Sequence, residues 1–392
     1  MADVTNYIDR LVAELCPDGV DFYTIDELIT LDFGTRITKS KDAGTIYPVY
    51  GGGGASFRTD NYNREDKYVV SRFAMSEKCV RYVSGKFWML DSGFTYSVKD
   101  ESLLSYKYIS YWLLNAQQEI YACSSQSAQR NLKTAEFKRF EVPVPPLEIQ
   151  EAIVEILDKF TNLEAELEAE LEARTLQYEY YRDSLFEALD CPRIPLGSFA
   201  QLVRGSGMPK TDFSESGVGA IHYGQIYTKF GTATAEVIAH VPEEKAKKLA
   251  VVNPGDVIVA NTSENLEDVC KAVAWVGDSD IVTGGHATVI KAPEQNAKFI
   301  SYYMATGQFN KDKRRHAFGT KVIDVAPKNL AKIEFPLPPL EEQQRIVDIL
   351  DRFDALTSSL SEGLPAELAA RRSQYEYYRD QLLTFPRKGE NQ

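Results

Sequence analysis

Basic and aromatic side chains alternate along one stretch of this 392-residue chain, between residues 58 and 86. Lysine and arginine bind phosphates, and tyrosine rings stack on bases. A polar loop at residues 123–131 adds amide and guanidinium groups, which can pair with base edges in the major groove. The sequence therefore predicts a nucleic-acid-binding surface. Its candidates are Arg58, Arg64, Lys67, Arg72, Lys78, Arg81, Lys86, Gln126, Gln129, Arg130 and Asn131, interleaved with Tyr62, Tyr68 and Tyr82.

The second half of the chain carries a similar mixture of basic, amide and hydroxyl groups. Phosphate contacts would supply position and affinity, and amide and guanidinium groups would discriminate between bases. Taken singly, each residue is typical of an ordinary solvated surface, so the interpretation depends on clustering in loops. The candidates are Lys210, Gln225, Tyr227, Lys229, Asn261, Ser263, Asn265, Lys311, Lys313, Arg314, Arg315 and Lys321.

Motifs for catalysis and metal binding are missing from the sequence. The Gly51–Gly54 run lacks the Lys-Ser/Thr of a phosphate-binding loop, and it is interpreted as a mobile turn. The two Pro-Pro pairs are followed by leucine, and not by the aromatic residue of an amino-methyltransferase motif. Five cysteines and four histidines are scattered without zinc-binding spacing. We therefore expect no catalytic residues, no metal site and no cofactor bound by this chain.

The net charge of −13 is distributed unevenly. Residues 34–140 hold 16 Lys and Arg against 10 Asp and Glu, and residues 191–335 hold 17 against 15. Residues 147–190 hold only 3 against 13. Because local charge decides where a polyanion binds, the acidic total does not exclude nucleic acid.

A long internal repeat predicts the elements that position these residues. Residues 143–160 (PVPPLEIQEAIVEILDKF) and 336–353 (PLPPLEEQQRIVDILDRF) agree at 12 of 18 positions. The hexapeptide YEYYRD follows each copy, at 178–183 and 375–380, and residues 7–11 resemble its end. A repeat of this kind indicates a duplicated architecture with a quasi-circular, pseudo-two-fold arrangement.

Apolar residues recur every three or four positions after each Pro-Pro pair, which is typical of helices that pair in a coiled coil. We predict an antiparallel pair, with a helix break near residues 361–365 caused by Gly363 and Pro365. The alternative, two unrelated surface helices, would not require matching sequences. The predicted core is Ile153, Ile156, Phe160, Leu163, Leu167, Leu171, Tyr178, Leu185, Ile346, Ile349, Phe353, Leu356, Leu360, Tyr375 and Leu382.

These patterns predict an α+β protein with two homologous β-rich globular domains separated by two long helices. We expect a first domain with an N-terminal helical arm and a second that repeats its order of elements, each ending in a strand (137–142 and 330–335) before its Pro-Pro pair. No sequence suggests a signal peptide or a membrane span, so a cytoplasmic protein is expected. The predicted segments are 1–145 (first domain), 146–189 (central helix), 190–338 (second domain), 339–385 (C-terminal helix) and 386–392 (disordered tail).

The repeated Pro-Pro-Leu helix, the LEAE tetrads at 163–174 and the YEYYRD motifs resemble the specificity subunits of type I restriction–modification systems, close to the IC class. The resemblance implies two target recognition domains, each reading one half of a bipartite site in double-stranded DNA. It implies a coiled coil that sets the spacer, two methyltransferase subunits docked on the helices and arm, and restriction subunits joined through them. S-adenosylmethionine, ATP and Mg²⁺ would belong to those partners. The family's DNA-facing loops are not fixed in sequence, so no base contact can be transferred individually.

Two other functions remain open from the sequence. A scaffold or orphan interaction protein could use the acidic helices without binding DNA, and a gel shift with partner subunits would separate it from a specificity subunit. An enzyme with a site of its own would have to show activity as an isolated chain.

Overall fold

The computed structural model describes residues 2–358 and 363–389. Two compact units are present: unit 1 is Met1–Glu166 with Ala369–Gln392, and unit 2 is Leu167–Leu368. The mixed helices and sheets confirm the predicted α+β class. The segments 146–189 and 339–385, which the sequence predicts as separate helices, are each divided between the two units, after Glu166 and after Leu368. The described helices include none with the length and apolarity of a membrane span.

Unit 1 has a six-stranded sheet in the order β2-β7-β5-β6-β3-β4, with β3 and β6 parallel and the other pairs antiparallel. A second, two-stranded sheet joins β1 and β8. The elements are α1 (Ala2–Leu15), β1 (Asp21–Thr24), α2 (Ile25–Leu28), β2 (Ile29–Phe33), α3 (Lys39–Asp42), β3 (Tyr47–Gly51), β4 (Gly54–Thr59), β5 (Arg64–Ser71), β6 (Val80–Met89), β7 (Gly93–Val98), α4 (Tyr106–Asn115), α5 (Gln117–Ala122), α6 (Thr134–Phe137), β8 (Glu141–Val144) and the start of α7 (Leu147–Glu187).

Unit 2 has a five-stranded sheet, β10-β19-β15-β17-β12, a four-stranded sheet, β13-β11-β18-β14, and two small pairs, β16-β20 and β21-β9. A 3-10 turn spans Lys210–Asp212. After α7 the elements are β9 (Arg193–Pro195), α8 (Leu196–Phe199), β10 (Gln201–Arg204), β11 (Val218–Ile221), α9 (Tyr223–Thr228), β12 (Ala233–Thr234), β13 (Ala239–Val241), α10 (Glu243–Ala246), β14 (Ala250–Val252), β15 (Val257–Ala260), β16 (Thr262–Ser263), β17 (Ala272–Trp275), β18 (Ile281–Thr283), β19 (Ala287–Lys291), α11 (Ala297–Met304), α12 (Gly307–Arg314), β20 (Ile323–Asp324), α13 (Pro327–Leu330), β21 (Glu334–Pro336), α14 (Leu340–Ser358) and the start of α15 (Leu364–Leu382).

The five-stranded sheet is buried on both faces. Val257 and Val259 belong to one core cluster, with α11 and α14, and Ile258 and Ala260 to another, with α9. Because side chains alternate along a strand, this pattern places one cluster on each face of the sheet. It explains why β15 is continuously apolar.

Both units share one framework despite their different sheets. β1 with α2 in unit 1 corresponds to β9 with α8 in unit 2, and each first strand pairs antiparallel with the strand that precedes a Pro-Pro pair. The predicted final strands begin too early: a helical turn, α6 or α13, comes first, and only Glu141–Val144 and Glu334–Pro336 are strands. Phe137 in α6 and Leu330 in α13 are fully buried there, so their apolar character comes from core packing in a turn.

Within unit 1, the first half of α7 packs antiparallel to the second half of α15. The ring of Phe160 stacks on Tyr378 with centroids 5.7 Å apart, and Arg372 pairs with Glu164 at 2.6 Å. Within unit 2, α7 contacts α14, where Tyr181 stacks on Phe353 with ring centroids 5.6 Å apart. The two stacks join corresponding residues of the repeat, so each unit contains the same helix contact.

The predicted helix core needs correction at several positions. Ile153 and Ile346 are fully buried in the globular cores of units 1 and 2, with Tyr108 and Tyr302 among their clusters. Leu356 is 40% exposed, and Leu360 lies outside the described residues. The remaining positions are buried or partly buried: Ile156, Phe160, Leu163, Leu167, Leu171, Tyr178, Leu185, Ile349, Phe353, Tyr375 and Leu382.

The predicted helix break falls partly at residues 361–362, outside the described residues. α15 begins at Leu364, with Pro365 in the first turn, where its missing N–H costs no hydrogen bond. A Cβ on Gly363 would lie 2.6 Å from the Ala355 carbonyl oxygen, so only glycine fits beside the end of α14.

Residues 386–389, assigned from the sequence to a disordered tail, are held in unit 1. The Val20 amide donates to the Pro386 carbonyl at 3.0 Å, and the Lys388 amide donates to the Val20 carbonyl at 3.0 Å. The Arg387 guanidinium pairs with Glu141 at 2.5 Å. The expected tail is therefore wrong for these residues, because backbone pairing with the β1 segment orders them.

Candidate nucleic-acid interface

Several predicted cations of unit 1 lie over aromatic rings. The ammonium of Lys86 is 4.6 Å from the centre of the Tyr62 ring, whose hydroxyl raises the pKa of that ammonium. The Arg72 guanidinium contacts two phenyl rings, 5.0 Å from the centre of Phe33 and 4.5 Å from the centre of Phe73. Such stacking orients a cation without neutralising it, so the charge remains available to a phosphate.

The other accessible candidates of unit 1 lie on its loops and strands. Lys67 is held over the Tyr106 ring at 5.0 Å and Arg130 over the Tyr121 ring at 4.6 Å. The Arg58 guanidinium donates to the Ile46 carbonyl at 2.6 Å but is exposed. The exposed or partly exposed members are Arg58, Lys67, Arg72, Lys78, Lys86, Gln126, Gln129, Arg130 and Asn131, with Tyr62, Tyr68 and Tyr82 beside them.

Two predicted arginines of unit 1 are structural. The Arg64 guanidinium donates to the Thr95 hydroxyl at 2.8 Å and to three backbone carbonyls. The Arg81 guanidinium donates to the Gly51 carbonyl at 2.5 Å, and burial lowers its pKa. The Arg64 donors hold β5 to β2, and Nη2 of Arg81 holds the Gly51 turn to β6. Both assignments as DNA contacts are therefore corrected.

Two predicted residues of unit 2 are buried. Asn261 is fully buried: its amide donates to the Val325 carbonyl at 2.7 Å and accepts from the Thr288 hydroxyl at 2.6 Å. Lys313 is 2% exposed, and its ammonium donates to the carbonyls of Glu267 and Val269. Burial lowers the Lys313 pKa. Neither side chain can reach a ligand, so both assignments need correction.

Two further candidates have internal partners. Gln225 accepts from the His222 amide at 2.8 Å and completes the cap of α9, and the Tyr227 hydroxyl donates to the Thr262 carbonyl at 2.7 Å. Arg314 forms a weak ion pair with Glu267 at 3.4 Å, and Arg315 forms one with Asp312 at 3.5 Å. Surface ion pairs of this kind contribute little energy, so a DNA phosphate can replace the carboxylate. The accessible candidates of unit 2 are Lys210, Lys229, Ser263, Asn265, Lys311, Arg314, Arg315 and Lys321.

A buried glutamine in each repeat fixes the helix to the globular region. Gln150 is fully buried, accepts from the Ser105 amide at 2.8 Å and donates to the carbonyls of Leu103 and Pro145. Gln343, also fully buried, accepts from the Asn296 amide and donates to the Pro338 carbonyl at 2.9 Å. Both are the glutamine of the repeated Pro-Pro-Leu-Glu-x-Gln motif. Their equal spacing in the two copies is the sequence feature from which these anchoring residues could have been predicted.

A Tyr–Asp–Lys triad repeats in the same way. In unit 1, Asp158 of α7 accepts from the Tyr111 hydroxyl at 2.7 Å and pairs with Lys107 at 2.5 Å. In unit 2, Asp351 of α14 accepts from the Tyr302 hydroxyl at 2.7 Å and pairs with Lys298 at 2.8 Å. Burial raises the pKa of both tyrosines, so their hydroxyls stay protonated as donors.

Replacing Tyr111 with phenylalanine should lower the unfolding free energy of unit 1 by about 1–2 kcal/mol, because a hydrogen bond to a carboxylate is lost. Tyr302→Phe should do the same in unit 2. Urea denaturation of the full chain measures both effects. The control is Tyr121→Phe, because Tyr121 contacts Arg130 through its ring, which phenylalanine keeps. Equal losses of unfolding free energy in all three variants would contradict a special role for the triads.

The described residues contain no group of three or more His, Cys, Asp and Glu side chains able to hold a metal ion. The cysteines are free, and burial raises the pKa of Cys270 to about 12, so this thiol is unsuited to act as a nucleophile.

The N-terminal helix α1 and the end of α15 border a groove of about 720 Å³ in unit 1. Ile8 of α1 is buried in the same core cluster as Leu382 and Leu383. Apolar side chains of Val12 and Phe385 and the carboxylates of Asp9 and Asp380 line the groove. This mixture suits a protein partner better than a polyanion.

Comparisons with known proteins give one matching family model and several similar proteins. Residues 17–173 and 193–370 match the family model of the Type I restriction modification DNA specificity domain. The specificity subunit of the EcoR124I/EcoR124II type I restriction enzyme from Escherichia coli is 32% identical over 308 residues, which are 74% of this chain and 73% of that protein.

Two solved chains have a similar fold. The S subunit of a type I restriction–modification system from M. genitalium superposes with a TM-score of 0.57 at 17% identity, covering 93% of this chain and 96% of that one. A chain from a structural study of complex assembly in the type I R-M system gives 0.58 at 14% identity, covering 93% and 97%.

Proposed function

The chain belongs to the family of type I restriction–modification DNA specificity subunits, and from this premise we propose that its two globular regions each read one half of a bipartite DNA site. The observation that carries the proposal is the duplicated attachment of each globular region to its helix, by Gln150 and the Asp158 triad in unit 1 and by Gln343 and the Asp351 triad in unit 2. The same attachment holds a different sheet in each unit. Two different globular regions held in the same way are suited to reading two different half-sites.

Accessible cations and amides of each unit supply the DNA contacts in this proposal. The stacked Lys86 and Arg72 of unit 1 offer oriented charges for phosphates, and Gln126 and Gln129 offer amides for base edges. In unit 2, the corresponding groups are those of Lys210, Asn265 and the exposed residues of 311–321. The α7 helix, with its tetrads, sets the length of the unspecified spacer.

The acidic helices and the groove beside α1 serve protein partners in this proposal. Two methyltransferase subunits dock there, and restriction subunits join through them. S-adenosylmethionine, ATP and Mg²⁺ are used by those partners, and this chain contributes no catalytic group. Such a complex works in the cytoplasm with the host's DNA. Membership of the IC class stays a prediction.

The experiment is binding of random bipartite duplexes by the chain purified with its methyltransferase subunit. We expect enrichment of one site with two defined halves, and no methylation by the chain alone. A complex that assembles but enriches no sequence would favour a non-DNA-binding scaffold instead. Methyl transfer by the isolated chain would show that it has an active site of its own.

A further inference from the structure

A cavity of about 510 Å³ opens on unit 2, and none of its lining residues is a candidate from the sequence analysis. Its floor is buried, with Met208 and His222 only 4% and 7% exposed, and its rim is exposed at Arg204, Gly207 and His286. Among the residues that the structure describes, no acidic side chain lines it. We call it the histidine cavity.

Two glycine segments form one side of the histidine cavity. Ser206 and Gly284 form a parallel bridge, and a Cβ on Gly205 would lie 1.9 Å from the Gly284 carbonyl oxygen. Glycine is therefore required at residue 205 for the two backbones to touch. Gly207 and Gly285 also line the cavity without side chains, so it remains open.

Three flat rings form another side. The Tyr223 ring lies 4.4 Å from the His222 ring and 5.1 Å from the His286 ring, between centroids. The Nδ1 atom of His222 accepts from the Gly224 amide at 3.1 Å, so its Nε2 is the protonated nitrogen. Burial, then Lys210 and His286, lowers the His222 pKa, which keeps the ring neutral.

His286 has a backbone conformation that a non-glycine residue seldom adopts, with φ = 67°. Its carbonyl accepts from the Asn261 amide at 2.8 Å, and its Nδ1 lies 3.1 Å from the Thr262 hydroxyl. These contacts hold the strained residue and leave Nε2 at the rim. Strain of this kind concentrates at functional sites.

Arg204 completes the rim at the end of β10. Its guanidinium lies 3.9 Å from Asp324, a loose pair with the side chain half exposed. A guanidinium is the commonest reader of guanine in the major groove, and imidazole nitrogens can donate to or accept from base edges. The neutral His222 ring at the floor and the flat Tyr223 and His286 rings beside it are suited to a planar, uncharged base edge and less to a charged phosphate.

We propose that the histidine cavity receives a base-pair edge of the second half-site, with Arg204 and His286 as its hydrogen-bonding groups and Tyr223 as its apolar wall. This inference rests on the proposed function, because it assumes that unit 2 reads DNA. It assigns recognition to residues outside the accessible candidates discussed above.

Arg204→Ala should lower discrimination at one position of the second half-site by about 10- to 100-fold, the range for one good base contact. The test is selection of duplexes randomised in the second half-site by the complex with its methyltransferase subunit. The first half-site should stay unchanged, and so should the dependence of binding on salt. Uniform weakening of all sequences, with a salt slope reduced by about one, would identify a phosphate contact and overturn the proposal.

Gly207→Leu provides a second, independent variant. A Cβ at Gly207 meets no atom within 4 Å, so a leucine side chain can begin at the cavity lining without a clash at its first carbon. It should impair selection of the second half-site while the melting temperature stays near that of the parent chain. The control is Gly53→Leu in unit 1, where a Cβ also meets no atom within 4 Å, and which should leave second half-site selection unchanged.

Failure of the proposed function and failure of the histidine cavity as a reading site give different results. If the parent complex selects no bipartite site, the proposed function fails. If the parent selects one but Arg204→Ala and Gly207→Leu select the same second half-site as the parent, only the histidine cavity is excluded as a reading site.

Discussion

Deletion of Leu167–Glu170 will leave both half-site sequences unchanged and alter the spacer between them by a base pair or two. Four residues span about 6 Å of helix, against about 3.4 Å per base step. The tetrad repeat should preserve the packing of the helix, because after the deletion Leu171 follows Glu166 and takes the position of buried Leu167. The stacks of Phe160 on Tyr378 and of Tyr181 on Phe353 use residues outside the deleted segment.

The measurement is selection of duplexes with spacers of every length, by the deletion variant in complex with its methyltransferase subunit. The matched control replaces Glu168 and Glu170 with glutamine, which changes the charge of the tetrad but not its length. It should keep the parent spacer. A deletion variant with an unchanged spacer, or with a new half-site sequence, would be incompatible with α7 as the spacer-setting element.

Replacing Gln150 with leucine should lower the unfolding free energy of unit 1 by at least about 3 kcal/mol. The substitution keeps the apolar packing but leaves the Ser105 amide and the carbonyls of Leu103 and Pro145 without their partner. Buried polar groups without partners cost about 1–3 kcal/mol each. Gln343→Leu should have the corresponding effect on unit 2, and Glu151→Gln, at an exposed neighbour on α7, should change stability by less than about 0.5 kcal/mol.

Tryptophan fluorescence separates the two units in this experiment. Trp88 and Trp112 lie in unit 1, and Trp275, which is 2% exposed, is the tryptophan of unit 2. Urea unfolding of the full chain in a Trp275→Phe background therefore follows unit 1, and unfolding in a Trp88→Phe/Trp112→Phe background follows unit 2. A loss for Gln150→Leu that is no larger than that of Glu151→Gln would show that the buried amide does not anchor α7.

The repeated helices were predictable because their signal is local. Apolar periodicity and the matched motifs at 143–160 and 336–353 predict two related helices, and the structure gives each unit the same stack of a phenylalanine on a tyrosine. The periodicity could not tell which neighbour each apolar residue meets. Ile153 and Ile346 carry the same pattern as Phe160 but pack in globular cores, because the start of each helix lies against its own domain.

The proposed recognition surface was only partly predictable, because residue type does not reveal burial. Asn261 and Lys313 have the chemistry of a DNA contact, yet their polar atoms are satisfied inside unit 2. The guanidinium of Arg64 likewise donates its hydrogen bonds to groups within unit 1. The histidine cavity was missed because it joins Arg204, His222 and His286, which are far apart in sequence and come together only through the sheets of unit 2.

The central claim is that one chain reads two separate half-sites and fixes the distance between them. Methylation mapping across the genome of a host that carries this chain with its methyltransferase subunit tests that claim most directly. We expect one methylated motif with two specified halves and an unspecified gap of constant length. A contiguous motif, a gap of variable length, or no methylation that depends on this chain would contradict it.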